Sequence, residues 1–546
     1  MGEAEFDQKP LSKAIGSALS EQAIEFQRVS TPGGKFQVRW DEEGSATALG
    51  QLPFFAEYLD VTGLFERWVE GCPMNYSSPN APEVRDVLGT WLLSILDGQK
   101  RYAHIAGLRG DAVAPQILNM SKIVSDESLR RALAHLAPCV GKHCTEAEKV
   151  KREAQLAKSM AWMEAALEES TSEALCTPWI LDCDTTIKLL YGHQDGAEIS
   201  YNPIKPGRPS HAIHTYWIGN VRMVLDAEVQ GGKAHSAKHG LPRLRSLLEG
   251  LPPEKRPRLV RGDCAFGNET VMVEMEDVTQ PYLFKLRQSA GVKRLIERQW
   301  TRDDWSDAGQ GFYAVEAELK LSGWSRARRV VVVRRSVKGS LAADAKTSGK
   351  SKKQQQSLQF AEAQQPVNIW EYAVLITNTD FELDAIGQLY RDRADCENGF
   401  DEMKNQWGWG GYTTHDMERC NLSAKAVALV YNWWSWYVRL AHPKARLEAI
   451  TSRPLLLAGI ARLTHHAGQS RLLVTITHAA VDQVKSMIAN IRKGLDHIMQ
   501  TAPQLPKLDR WRFLVRYIVA KIIAAKSQVQ QIPLLAVTDV PQPATG

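Results

Sequence analysis

The sequence predicts an α/β core with a β-rich insertion, flanked by an N-terminal and a C-terminal helical domain. Apolar residues recur at helical spacing over residues 52–138. Short apolar and β-branched runs then alternate with helical patterns over residues 179–286, and three further strand-like runs lie within 312–377. Long helical patterns return after Leu422. A chain of 546 residues is long enough for several domains around a large core.

Composition favours a globular protein with a nucleic-acid partner. Hydrophobic residues make up 44% of the chain, which excludes a disordered or repeat protein. Net charge is only +5, but basic residues cluster at 205–208, 326–335 and 346–353. Local basic surface of this kind is what binding to nucleic acid requires.

The distribution of cysteines and apolar residues argues against secretion and against membrane insertion. The eight cysteines lack the paired spacing of a zinc ribbon or a small disulfide scaffold. The longest apolar run, residues 426–437, contains Asn432 and is too short to cross a bilayer. We therefore expect a cytoplasmic protein with no membrane partner.

The N-terminal helical pattern contains one segment that resembles a DNA-recognition helix. Ser125 is placed to cap a helix that continues through Leu129 with a basic first turn. Such a helix could follow the turn of a helix-turn-helix motif, or it could be an ordinary surface helix.

Two aspartates lie on one predicted strand near the start of the core. The run from Trp179 to Ile187 follows Pro178 and is rich in apolar and β-branched residues. Its period of two places Asp182 and Asp184 on one face and Cys183 on the other. A buried strand with two carboxylates indicates a functional site.

The segment after this strand predicts an exposed basic loop. Residues 191–211 are interrupted by glycine and proline and present Lys205 and Arg208. These cations could contact DNA phosphate, or they could form an ordinary basic surface.

A third aspartate ends a second predicted strand. The run from Arg258 to Asp263 is followed by Cys264 and then by a helix from Asn268. Carboxylates at the ends of strands are where an α/β sheet often carries its chemistry. The alternative is that Asp263 caps the following helix.

One predicted helix brings together four polar side chains of different kinds. Tyr390, Arg393, Glu397 and Lys404 are spaced by three, four and seven residues, which places them on one helix face. A capping box over residues 379–382 predicts where this helix begins. The face could form a catalytic site, or it could be a solvated surface held by an Arg393–Glu397 pair.

The spacing Tyr-x2-Arg-x3-Glu-x6-Lys resembles the signature of bacterial insertion-sequence transposases of the DDE class, in the group that forms DNA hairpins. The resemblance implies a core like that of ribonuclease H and makes Glu397 the third metal-binding carboxylate. It implies that the first two are Asp184, which precedes a pair of threonines, and Asp263. Asp182 is the alternative first ligand, or a partner of the ligands.

The same resemblance implies cofactors and DNA contacts. Three carboxylates suit two Mg²⁺ ions, which Mn²⁺ can replace, because oxygen ligands favour these metals over zinc. Phosphate binding is implied for Arg393, Lys404 and Tyr390, and the basic loop matches a similar run in the group. The β-rich insertion could stack Trp300, Trp305 or Trp324 on an unpaired base, although tryptophans in β domains more often belong to the core.

The resulting prediction is a cut-and-paste DNA transposase that works through a hairpin intermediate. We expect it to bind terminal inverted repeats and target DNA as a homodimer, associated with the bacterial nucleoid. The expected parts are an N-terminal helical DNA-binding domain (1–145), the first part of the core (146–299), the insertion (300–378) with a disordered basic loop (336–366), the catalytic helix (379–412) and a C-terminal helical region (413–546). The alternatives are a structure-specific metal-dependent nuclease and a domesticated, non-catalytic DNA-binding protein.

Overall fold

A computed structural model describes residues 27–39, 44–76, 78–140, 144–200, 202, 205–234, 236–338, 368–475 and 480–527. The expected basic loop therefore lies outside the described residues from position 339 onward, as do the first 26 residues.

The N-terminal part begins with a β-hairpin and continues as the predicted series of helices. The hairpin strands are β1 (Gln27–Thr31) and β2 (Gly34–Val38), and a short β3 (Ala46–Thr47) follows. The helices are α1 (Leu52–Thr62), α2 (Leu64–Glu70), α3 (Val84–Leu96), α4 (Ile105–Leu108), α5 (Val113–Ile117), α6 (Asp126–Leu136) and α7 (Glu146–Thr171). The predicted cap at Ser125 is confirmed, since its hydroxyl accepts a 3.1 Å hydrogen bond from the amide of Ser128 at the start of α6.

The central sheet combines parallel and antiparallel strands. Its strands are β4 (Ile180–Leu189), β5 (Glu198–Ile199), β6 (Pro209–Ile218), β7 (Met223–Gly231), β8 (Leu259–Gly262) and β9 (Tyr282–Lys285). The spatial order is β7, β6, β4, β8, β9, with β5 also on β6. The β6 strand is antiparallel to β4 and β7, whereas β4, β8 and β9 are parallel to one another. This mixed sheet confirms the predicted fold class.

The β-rich insertion extends the same sheet. Helices α8 (Leu241–Gly250), α9 (Glu269–Asp277) and α10 (Ala290–Gln299) precede strands β10 (Ser306–Asp307), β11 (Phe312–Leu319), β12 (Arg328–Lys338) and β13 (Asn368–Thr377). The last of these runs antiparallel to β9, with Leu375 opposite Lys285 and Thr377 opposite Leu283. Core and insertion thus form one ten-stranded sheet within the described residues.

The single helix predicted over Tyr390 to Lys404 is divided in two. Helix α11 (Leu383–Arg391) ends before Arg393, and α12 (Ala394–Asn405) begins after it. Arg261 donates to the carbonyl of Leu389, which in a continuous helix would accept from the amide of Arg393. That amide instead donates to the carbonyl of Tyr390 at 3.2 Å, a tighter turn.

The predicted capping box before this helix is also wrong. Helix α11 is preceded by Glu382, with no side-chain cap. The hydroxyl of Thr379 lies 2.9 Å from that of Thr377 instead, because Thr379 belongs to the turn that leaves β13.

The C-terminal part is helical as predicted, apart from one hairpin that the sequence did not indicate. Its elements are α13 (Met417–Ala441), α14 (Ala449–Leu456), β14 (Ala461–His466), β15 (Gln469–Val474), α15 (Val481–Thr501) and α16 (Lys507–Ser527). Helix α13 is buried along most of its length, as its apolar sequence predicts. Among the described helices, none is long and apolar enough to cross a membrane.

Candidate active site

Asp184 and Asp263 occupy neighbouring positions on two adjacent parallel strands. The register of β4 and β8 pairs Cys183 with Gly262, so each aspartate is the next residue along the chain, Asp184 within β4 and Asp263 directly after β8. Adjacent strands are about 5 Å apart, which brings the two carboxylates to the same edge of the sheet. The third carboxylate, Glu397, approaches from α12.

The environment of Asp184 shows that these carboxylates interact. The pKa of Asp184 is raised to about 7: burial is the main cause, Arg393 opposes it, and the charges of Asp263 and Glu397 add to the rise. The backbone amide of Thr185 donates to Asp184 Oδ1 at 2.7 Å, which also favours the charged form. Such a convergence of like charges is typical of a functional site.

Arg393 is the counterion of this cluster. Its side chain is nearly buried and donates through Nη2 to Asp184 Oδ2, while Nη1 lies 3.5 Å from Glu397 Oε1. Glu397 itself remains 68% exposed. The Arg393 guanidinium therefore offsets the negative charges of both Asp184 on β4 and Glu397 on α12.

Tyr390 and Lys404, the other two residues of the pattern, lie close to the same carboxylates despite the break between the helices. Burial raises the pKa of Tyr390 to about 12, with Arg393 opposing the shift and Asp263 adding to it. Burial lowers the pKa of Lys404, and the charges of Asp401 and Asp184 oppose that change.

The donor chemistry fits a divalent metal, although the side chains do not form a closed cage. Across the described ranges, no group of three or more His, Cys, Asp or Glu side chains is arranged to hold a metal ion. The oxygen-only set of Asp184, Asp263 and Glu397 nevertheless suits Mg²⁺, and a cation would offset both the burial and the neighbouring negative charges that raise the pKa of Asp184. Since Arg393 already contacts Asp184, a metal ion at this carboxylate would share it with Arg393 or replace that contact.

Comparison with known proteins identifies the family of this chain. Residues 50–495 match the family model described as transposase DDE domain group 1. The chain belongs to this family of DDE transposases. Divalent metal ions are generally used in the family.

Other comparisons are more distant. A solved structure, the cryo-EM structure of a piggyBac transposase synaptic complex with hairpin DNA, is 11% identical with a TM-score of 0.36, and the alignment covers 95% of this chain and 89% of that chain. No curated protein matches the sequence.

In this transposase, Asp182 has a different partner from Asp184. Both of its carboxylate oxygens accept 2.6 Å hydrogen bonds from Arg261, and both side chains are buried. Because Arg261 also binds the carbonyl of Leu389, the pair positions the junction between α11 and α12. This arrangement argues against Asp182 as the first metal ligand.

Lys205 and Arg208 lie away from the carboxylates, beyond the end of β4. Both are exposed. Lys205 Nζ lies 5.3 Å, and the Arg208 guanidinium 5.4 Å, from the centre of the Tyr191 ring. Lys205 also donates to the Tyr191 hydroxyl at 3.0 Å. The basic loop therefore includes an exposed aromatic side chain that the sequence pattern did not single out.

The three tryptophans of the insertion differ in accessibility. Trp324 is buried beneath Arg328, and Trp305 is half-buried with the Arg334 guanidinium 3.9 Å from its ring centre. For these two, the structure supports the alternative interpretation as core residues. Trp300 is 59% exposed, at the end of α10.

Neither the role of Arg261 nor the contact of Arg393 with Asp184 was predicted from the sequence. A signal for Arg261 was present, because an arginine inside a buried strand requires a carboxylate partner. The register places it directly opposite Asp182. Only the pairing of β4 with β8, which lie far apart in the sequence, shows that the carboxylate partner of Arg261 is Asp182.

Proposed function

We propose that this protein is a cut-and-paste DNA transposase whose active site consists of Asp184, Asp263 and Glu397. The observation that carries the proposal is the convergence of these carboxylates: two occupy neighbouring positions on parallel strands, and the charges of Asp263 and Glu397 help to raise the pKa of Asp184 to about 7. Family membership supports the same assignment.

Each group has a separate role in the proposed reaction. The three carboxylates would hold two Mg²⁺ ions, replaceable by Mn²⁺, and these would supply activation of water or a 3′-hydroxyl and stabilisation of the leaving oxygen at phosphorus. Arg393 and Lys404 bind phosphate oxygens, and Tyr390 donates a hydrogen bond to another. Arg393 makes this contact after it has left Asp184.

The Tyr-Arg-Glu-Lys spacing supports membership of the bacterial hairpin-forming group. In such a reaction the freed 3′-hydroxyl attacks the opposite strand, which requires a sharply bent backbone held by donors such as Arg393 and Tyr390. The substrates are the terminal inverted repeats of a mobile element and then target DNA, and the active complex is a homodimer.

The test is cleavage of a labelled duplex taken from the DNA that flanks the gene. Asp263→Asn and Glu397→Gln are expected to lower Mg²⁺-dependent strand cleavage on the order of a thousandfold, because each removes a metal ligand. Affinity for the same duplex should change less than twofold. Asp384→Asn, which changes an exposed carboxylate in the first turn of α11, is the matched control and should cleave normally. Cleavage at the wild-type rate by either active-site variant would exclude that residue.

A further inference from the structure

A basic groove lies between the N-terminal helices and the end of β4, and the proposed chemistry does not use it. Its first wall is formed by Lys100 and Arg101 with Arg130 of α6. Its second wall includes Tyr191, and the Gly411–Tyr412 segment forms its base. We call this cavity of about 430 Å³ the β4-end groove.

Exposed cations line both walls of the β4-end groove. Lys100 and Arg101 are exposed, and the Arg130 guanidinium lies 4.8 Å from the ring centre of Tyr102. Across the groove, the side chains of Lys205 and Arg208 pack against the ring of Tyr191, which is 65% exposed. The carboxylate nearest Arg130 is that of Asp126, 3.8 Å away in an exposed ion pair. Exposed pairs of this kind are weak, so the groove keeps its positive charge.

The two walls are held in fixed positions relative to each other. The amide of Tyr412 donates to the carbonyl of Lys100 at 2.7 Å, and Lys188 Nζ of β4 donates to the carbonyl of Gly411 at 2.5 Å. The Tyr412 hydroxyl lies 2.7 Å from that of Ser94 on α3. A β-carbon at Gly411 would lie 1.9 Å from the Lys100 carbonyl oxygen, so only glycine permits this approach. The groove is therefore formed before any ligand arrives.

The β4-end groove lies at a measurable distance along β4 from the proposed active site. Tyr191 follows Asp184 by seven residues, nearly all of them in β4. At 3.3 Å per residue of strand, the separation is about 23 Å. One DNA strand advances 3.4 Å per nucleotide along the helix axis, so this distance corresponds to about seven base pairs.

We propose that the β4-end groove binds the sugar-phosphate backbone of duplex DNA about seven base pairs from the phosphate that is cleaved. The proposal deepens the proposed function and rests on it for the position of the cleaved phosphate. It means that the N-terminal helices and the catalytic core hold one duplex together, through cations that both parts contribute.

The test compares two triple variants with the same change in charge. The groove variant carries Lys100→Gln, Arg101→Gln and Arg130→Gln. The control variant carries Arg294→Gln, Arg298→Gln and Lys320→Gln, which line a different cavity beside α10. Binding of a fluorescent 30-base-pair duplex of arbitrary sequence is measured in EDTA at several KCl concentrations.

The groove variant is expected to bind at least tenfold more weakly at 100 mM KCl. The slope of log K against log salt should fall by about 2 to 3, since each phosphate contact contributes about 0.9. The control variant should stay within twofold of the wild type. Equal behaviour of the two triple variants, whether both weaken or neither does, would overturn the proposal.

Two further measurements keep this test separate from the cleavage test. Should the triple groove variant melt at a lower temperature than the wild type, the variant carrying only Lys100→Gln and Arg101→Gln replaces it, with an expected slope change of about 2.

The second measurement uses duplexes that contain the cleavage site. The groove variant should bind duplexes that extend ten base pairs past the cut on the groove side less well than the wild type does. Duplexes that end four base pairs past the cut should be bound equally well by both, and a loss for both lengths would contradict the assigned distance. If neither the wild type nor any variant cleaves, the proposed function fails. The binding comparison in EDTA still decides whether the groove binds DNA.

Discussion

Arg393 contacts Asp184 and lies 3.5 Å from Glu397, so it neutralises the carboxylates that are proposed to hold metal. A guanidinium in this position keeps the carboxylates together without metal. When it leaves Asp184, it becomes a donor that can reach a phosphate beside the site. In the proposed reaction, Arg393 therefore has two successive partners, first a carboxylate and then a phosphate.

This division of roles predicts where the reaction stops in variants of the phosphate ligands. Arg393→Ala and Tyr390→Phe are expected to allow the first nick, because the three carboxylates remain, and to impair the later attack on the opposite strand. Nicked DNA should accumulate on a labelled element end, with little hairpin or double-strand break, as seen on a denaturing gel. If both variants lose nicking as completely as Glu397→Gln, these residues bind substrate in general.

Substitutions of the two aspartates of β4 are expected to change different properties, the stability of the protein for Asp182 and DNA cleavage for Asp184. Asp182→Asn breaks a buried ion pair with Arg261 and should lower the free energy of unfolding by about 3 kcal/mol. Asp184→Asn should change it by less than about 1 kcal/mol, since the amide oxygen still accepts from Arg393 and repulsion from Asp263 is relieved. Urea denaturation measures both values.

Cleavage assays on the same proteins complete the comparison. At a temperature where both variants are folded, Asp184→Asn should abolish cleavage and Asp182→Asn should retain most of it. The reverse order would move the first metal ligand to Asp182.

Among the elements, the segment between α12 and α13 connects the catalytic helix to the N-terminal part. Trp407 and Trp409 are buried there, and Tyr412 adopts a left-handed conformation with φ 47°. The adjacent Gly411 lies against the backbone of Lys100. The position of this segment therefore depends on a close approach that a side chain would prevent.

Substitution of two neighbouring glycines tests this contact. Gly411→Ala should lower the free energy of unfolding by about 2 kcal/mol or more, because its β-carbon would overlap the Lys100 carbonyl oxygen. The control is Gly410→Ala, whose β-carbon would lie 3.3 Å from the nearest atom, the Lys404 carbonyl oxygen. Thermal or urea unfolding should show a clearly smaller loss for Gly410→Ala. Equal losses would show that the approach to Lys100 does not determine stability.

In the molecule as a whole, one continuous cluster of buried apolar side chains joins the N-terminal helices, the central sheet and the C-terminal helices. Phe55 of α1 and Trp434 of α13 have ring centres 5.3 Å apart, and those of Trp68 and Trp433 are 5.7 Å apart. Tyr58 similarly meets Trp511 of α16 at 6.2 Å. The helical parts at both ends of the chain therefore share one core.

A shared core predicts cooperative unfolding of both ends of the chain. Calorimetry should show no separate transition for the N-terminal helices, because removing them would expose the aromatic side chains of α13 and α16. Trp434→Ala, which creates a cavity between α1 and α13, should lower the melting temperature of the whole transition. An N-terminal transition that stays unchanged in this variant would show that the parts unfold independently.

The sequence by itself determined the classes of element and the residues of the proposed site. Periods of two and of 3.6 residues, together with caps such as Ser125, are local properties, so the strands that carry Asp184 and Asp263 and the burial of α13 could be predicted. The spacing from Tyr390 to Lys404 resembled a signature of one group of DDE transposases, and the family match confirms a DDE transposase.

Only the tertiary structure decided how these elements meet. The insertion joins the central sheet through pairs such as Thr377 with Leu283, which lie far apart in the chain. The break at Arg393 arises because Arg261, held by Asp182, takes the carbonyl of Leu389. The β4-end groove forms because Gly411 admits the backbone of Lys100. Each of these contacts depends on strand register or on close packing between distant segments, and local periodicity contains no information about either.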